Sequence, residues 1–317
     1  MGVRSGGLRG VVLGSLVLVA GCGGSTALAV DDAHHTETVP LAAELESVGG
    51  IGGVSVDADG RVVMANFNRF VWRIGAEGDV EVLSDSFQAA SGNTVLRDGA
   101  ILQADFERNE IFQLSDDGTS PVPYSSDGHD GPVGMVEAPS GEVYVANFLG
   151  GYIGRVPVGG GPAEVFARSD EMTSPNSVVR HPSGDFFVAD LRSPTLFRVS
   201  AEGTVTPFVT LPGQANGHLT LAGDVLYVTQ LLDHRVMRVG LDGSFAVAAG
   251  TGERGFADGP AGAGTVSHPN GIAYDQGSGV VYFNNHRGVM SAGERGDIVL
   301  RLLRLGEGGG QEGPSSS

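Results

Sequence analysis

Four asparagines, Asn93, Asn176, Asn216 and Asn270, stand where apolar segments of this chain begin. Their amide oxygens, gathered on one axis, would suit a hard divalent cation such as Ca2+, which takes several oxygen ligands. A second polar set, Asn66, Asp105, Asn147, Asp190, Gln230 and Asn285, ends apolar segments. Within it Asp105 and Asp190 could lend such a site negative charge, and Asp190 or His218 could help a water attack a carbonyl. His218 and His286 are the histidines expected nearest these positions, where an imidazole can act as general base or metal ligand. Turn formation is the competing use, because Asn and Asp side chains also bond the backbone of turns. The chain has no Gly-x-Ser-x-Gly phrase, HExxH, phosphate loop or dinucleotide fingerprint.

The elements that would position these residues repeat six times. In each copy an apolar strand and a Gly turn precede a second strand, which ends in one of the polar residues just named. Second strands read Val62-Val63-Met64-Ala65-Asn66, Val143-Tyr144-Val145-Ala146-Asn147 and Phe186-Phe187-Val188-Ala189-Asp190, with looser copies ending at Gln230 and Asn285. Successive polar ends lie 39, 42, 43, 40 and 55 residues apart, close to the roughly 40 to 50 residues of a propeller blade. Third strands follow, such as Val71-Trp72-Arg73-Ile74 and Leu196-Phe197-Arg198-Val199. No helical period of apolar residues competes after residue 50. The pattern predicts an all-β fold, a six-bladed β-propeller with blades over residues 49–305.

Blade six lacks a fourth strand of its own, since a Gly, Glu and Ser tail occupies 306–317. The segment Glu37-Thr38-Val39-Pro40-Leu41-Ala42 is expected to supply it and so close the ring. This sets the propeller at 37–305, with a polar tether at 22–36. Two insertions, Glu253 to Val266 and Arg287 to Arg295, are expected to overhang the channel mouth as a partial lid. The mouth would hold a small molecule, or a protein, peptide or glycan partner.

Residues 1–21 carry Arg4 and Arg9 ahead of an apolar run from Val11 to Ala20, the layout of a secretory signal. The end of that run, Val19-Ala20-Gly21-Cys22, resembles the bacterial lipoprotein signal. The resemblance implies a lipid on Cys22 and an extracytoplasmic, membrane-anchored protein facing the periplasm or the exterior. Cys22 is the only cysteine, which excludes a disulfide scaffold and a cysteine-built metal site. The charged residues are 19 basic, all Arg, and 37 acidic, net −18. A phosphate backbone would be repelled, which argues against nucleic acid, and such charge favours a monomeric body.

The phrase Gly250-Thr251-Gly252-Glu253-Arg254-Gly255-Phe256-Ala257-Asp258-Gly259, followed by His268-Pro269-Asn270-Gly271-Ile272-Ala273, resembles an NHL repeat. With the six blades, it makes the chain similar to NHL-repeat propellers and to the group of senescence marker protein, gluconolactonase and paraoxonase. That resemblance implies a divalent ion at one mouth of the channel and action on a lactone or ester. Its metal column would correspond here to Gly52, Asn93, Val133, Asn176, Asn216 and Asn270. Where the lactonase-like pattern has a Glu at the head of blade one and an Asp in blade five, this chain has Ile51-Gly52 and Ala215-Asn216-Gly217-His218.

Overall fold

Apolar runs of three to five residues separated by Gly turns become strands throughout the computed structural model, which describes residues 28–48, 50–115, 120–287 and 295–306. Blade one is β3 (Val54–Val56), β4 (Val62–Ala65), β5 (Val71–Ile74) and β6 (Val80–Ser84), and blade two is β7 (Ala90–Val95), β8 (Ile101–Asp105), β9 (Glu110–Leu114) and β10 (Val122–Ser125). Blade three is β11 (Pro132–Glu137), β12 (Val143–Asn147), β13 (Tyr152–Val156) and β14 (Glu164–Arg168). Blade four is β15 (Pro175–Arg180), β16 (Phe186–Asp190), β17 (Thr195–Val199) and β18 (Val205–Thr210). Blade five is β19 (Asn216–Ala222), β20 (Val225–Gln230), β21 (Arg235–Gly240) and β22 (Phe245–Ala249). Each is an antiparallel sheet whose first strand lies innermost.

Second strands are buried on both faces, which is why they read as unbroken apolar runs instead of alternating. The core is a series of inter-blade clusters. Between blades three and four, Tyr144 meets Phe186 at 4.4 Å between ring centroids, with Ile153, Val188 and Phe197 around them.

The ring closes at blade six, where β24 (Ile272–Asp275), β25 (Val280–His286) and β26 (Arg295–Arg304) are joined by β1 (His35–Thr38). An N-terminal strand therefore completes the last blade, but it runs over 35–38 and not 37–42. Its register pairs His35 with Arg304 and Thr38 with Arg301. Val39 N–H still donates to Leu300 O at 3.0 Å, whereas Pro40 has no N–H with which to continue. The chain then turns to blade one, where Ala42 N–H donates to Gly78 O, and returns as β2 (Leu45–Val48) against the other half of β26. The ten-residue β26 thus carries two short strands in tandem on its outer edge.

Part of the segment expected as a tether, 22–36, packs on the blades instead. Residues 28–34 belong to the propeller: Val30 bridges Val247, the Asp31 carboxylate meets Arg238 at 2.8 Å, and the buried His34 ring lies 2.9 Å from Tyr227 Oη. Residues 22–27, the signal segment with Cys22, and the tail from 307 lie outside the described residues.

The first insertion is not a lid. Its tip forms β23 (Gly259–Pro260), which pairs with β1, while Ala261 N–H donates to His34 O. It is held from inside by Arg301, whose guanidinium reaches Asp258 Oδ1 at 2.9 Å and the carbonyls of Thr265 and Ala257. Most of the second insertion lies outside the described residues.

Candidate functional site: the channel mouth

Each inner strand of blades two to five carries a β-bulge near its start, one extra residue opposite the second strand. This decides which side chains reach the channel. In those blades Ala90, Pro132, Pro175 and Asn216 pair with the polar ends Asp105, Asn147, Asp190 and Gln230. One step further along lie Ser91, Val133, Asn176 and Gly217, matched in blades one and six by Gly52 and Asn270. The true column is therefore Gly52, Ser91, Val133, Asn176, Gly217 and Asn270.

Only two of the four expected asparagines stand in that column. Asn216 precedes the bulge, and its Nδ2 donates to Ser193 O at 3.1 Å. Asn93 follows it, and its Nδ2 faces Gly53 O and Gln103 Oε1 at 3.4 and 3.3 Å. Asn176 and Asn270 do line the mouth, together with His218.

Three polar ends of the second strands, Asp105, Asn147 and Asp190, turn out to be clasps for the preceding loop, whereas Asn66 Oδ1 accepts from Asn68 N–H and Phe70 N–H of the following turn. Asp105, fully buried, accepts from Gln88 N–H and Ala89 N–H at 2.9 and 3.1 Å. Asn147 accepts from Asp130 N–H, and Asp190 from Ser174 N–H and Arg192 N–H, each within 2.9 Å. Asp190 is 0% exposed and does not line the mouth, so the carboxylate assigned to catalysis is a structural acceptor.

The pocket itself holds about 160 Å3. Its wall comes from the residue that follows the polar end of five second strands: Phe67, Phe106, Phe148, Leu191 and Leu231. These half-buried side chains sit on the turns between second and third strands. Phe67 and Phe106 are 5.5 Å apart by centroid and Phe106 and Phe148 6.0 Å, an arc ended by the Arg192 guanidinium 5.2 Å above Phe148. The sixth place in this set is His286, which is fully buried. Sequence reading passed over the wall although its signal was present, an apolar residue directly after five of the six polar ends.

The floor is rigid and uncharged. Ser91 Oγ donates to Pro132 O at 2.8 Å, and Asn270 Nδ2 to Ile51 O at 2.7 Å. His218 N–H is shared between Thr229 Oγ1 and Asn270 O, at 2.9 and 3.1 Å. Burial lowers the His218 pKa to about 4, so its ring is neutral at ordinary pH. Gly52 is obligatory, because a Cβ there would lie 2.6 Å from Ser91 O and 2.7 Å from Ala90 O.

These residues do not fit calcium. The mouth offers neutral amides and an imidazole where a hard cation wants six to eight oxygens with carboxylates among them. Blade one cannot supply one at Gly52 for lack of room, and Asp105 and Asp190 are already engaged. Among the described residues no three His, Cys, Asp or Glu side chains are grouped to hold a metal.

Neither a protein-family model nor a curated protein matches the sequence. Solved structures are similar in architecture. A gluconolactonase of Xanthomonas campestris aligns at 17% identity and TM-score 0.63, over 85% of this chain and 89% of its own. The virginiamycin B lyase of Staphylococcus aureus aligns at 14% and 0.58, covering 86% of this chain and 99% of the lyase. An auxiliary nutrient binding protein of Bacteroides thetaiotaomicron aligns at 12% and 0.69, covering 85% and 76%. Identities this low speak for architecture alone, and in architecture the chain is a six-bladed β-propeller.

Proposed function

We propose that the channel mouth binds a small, uncharged, mainly apolar molecule. The observation that carries this is the pocket of about 160 Å3 walled by Phe67, Phe106, Phe148, Leu191 and Leu231 over a floor without a charged group. A protein cavity of roughly 150 Å3 accommodates one benzene ring, so the site is matched to a single ring. An extended peptide or glycan would need a groove; the exposed Leu149 and Leu232 beside the wall offer it only two further contacts. The nutrient binding protein of similar fold supports a binding role. Toluene is the direct probe, followed by ligand-observed NMR: saturable binding is expected, weakened about tenfold in Phe106→Ala by lost apolar contact. Absence of saturable binding would remove the reading.

A second reading is hydrolysis of a lactone or ester, favoured by the His218 ring in the pocket and by the gluconolactonase of the same fold. His218 would take a proton from the attacking water, although a pKa of about 4 makes it a weak base. This reading requires aryl ester turnover that falls about 100-fold in His218→Gln.

The body would be held at a bacterial membrane by an acylated Cys22. Five residues separate Cys22 from Leu28, a reach of about 20 Å at most over the six Cα–Cα steps, and Leu28 packs against the core shared by blades four and five. Blade five would then face the bilayer. Cys22→Ser is expected to move the protein from the membrane fraction to the soluble one; an unchanged distribution would refute lipid anchoring at this residue.

A further inference from the structure

The pocket is two-sided. Blades one to three contribute Phe67, Phe106 and Phe148, with Gly52, Val133 and the engaged Ser91 hydroxyl beneath them. Blades four to six contribute its hydrogen-bonding edge, Asn176, His218 and Asn270. Of these, Asn270 has the best determined polarity. Its Nδ2 is committed to Ile51 O at 2.7 Å, and turning the amide over would set two carbonyl oxygens against each other. Oδ1 is therefore the free end, and it accepts no hydrogen bond from the described residues. It lies at the seam of blades five and six, 3.0 Å from where a Cβ on Gly217 would stand, beside His218, whose N–H meets Asn270 O. The His218 ring makes no hydrogen bond to the described residues either, and in its neutral form it carries one donor and one acceptor nitrogen.

Resting on the proposed small-molecule site, we infer that its ligand is a phenol-like ring, seated on the Phe67, Phe106 and Phe148 arc with its hydroxyl donating to Asn270 Oδ1 beside His218. A single hydroxyl suits one acceptor that is fixed in place, and the ring suits the aromatic side. A sugar would carry hydroxyls around its whole rim, and five apolar walls would leave most of them unpaired.

Phenol, anisole and toluene titrated into the full chain by ligand-observed NMR test this. Phenol is expected to bind about 3- to 10-fold more tightly than anisole, which has the ring and oxygen but no donor. In Asn270→Leu the toluene-to-phenol ratio of Kd values should fall by a similar factor, with toluene binding retained. If Asn270→Leu does not fold, the phenol and anisole pair in the unaltered chain decides. Anisole equal to or tighter than phenol overturns the inference while leaving the apolar site standing. Glucose binding more tightly than phenol overturns it as well. Failure of all three aromatic probes instead overturns the small-molecule site beneath it.

Discussion

Replacing Arg301 by Met is expected to lower stability by about 2 kcal/mol, the cost of withdrawing a charged donor from its hydrogen-bonded acceptors, with little added by the ion pair because Asp258 is half exposed. Among the described residues Arg301 is the largest fully buried side chain, at 0% exposure. It sits on β26 at the point where β1 pairs, Thr38 opposite Arg301. Its guanidinium gathers Asp258 and the carbonyls of Ala257 and Thr265 into one node, and Thr38 Oγ1 donates to the same Asp258 oxygen at 2.8 Å. Burial pulls the Arg301 pKa down while Asp258 holds it up, but a guanidinium stays charged. Met fills the same volume and supplies no donor, so Thr265 O loses its guanidinium partner, Asp258 Oδ1 is left with Thr38 Oγ1 and Ala257 O with Thr265 N–H, and the insertion is held less firmly to the strand that closes the ring. A fall of about 4 °C or more in Tm is expected for a domain of this size. A change under about 2 °C would mean that closure rests on the main-chain ladder of β1 and β26 alone.

Acid should weaken the fold well before its carboxylates titrate. His129, His218 and His268 have pKa values lowered to about 4, chiefly by burial, and His34 and His234 are lowered in the same sense. In the unfolded chain each returns to about 6.5. Below that value the unfolded state binds protons that the folded state refuses, so stability falls as pH drops from about 6.5 to about 4 and is fully present above this window. For the enclosed His218 alone the loss across the window is about 3 kcal/mol. Glu37 and Asp242, whose carboxyls are held low by Arg304 and by Ser244, respectively, begin to lose their contribution only at the acid end of this window, as pH falls through about 4. Thermal unfolding from pH 7.5 to pH 4 should show this slope, and His218→Gln should flatten it. Parallel curves for the two proteins would show that His218 is not a source of acid lability.

The blade count, the strand order and the need for an N-terminal closing strand were legible because they depend on local signals. Val-rich runs between Gly turns define strands, and a recurring polar residue at the end of the second strand marks the period. The same residue was ambiguous in role. Asp105 and Asp190 have the residue type of a ligand or a catalyst, and only the loops folded back over them, presenting the N–H groups of Gln88, Ala89 and Ser174, make them clasps.

The placement of the closing strand and of the site needed the folded molecule. Closing over 35–38 instead of 37–42 follows from Pro40, which cannot donate to the ladder, and from the contact of Ala42 with Gly78, 36 residues away in sequence. Column membership fails for a similar reason. A bulge adds one residue and reverses the facing of everything beyond it, which separates Asn93 and Asn216 from Asn176 and Asn270 although all four look equivalent in sequence. Local pattern thus determined that there are six blades around one channel. Which side chains line that channel was decided by bulges and close glycine contacts between blades, and these arise only when the six sheets pack together.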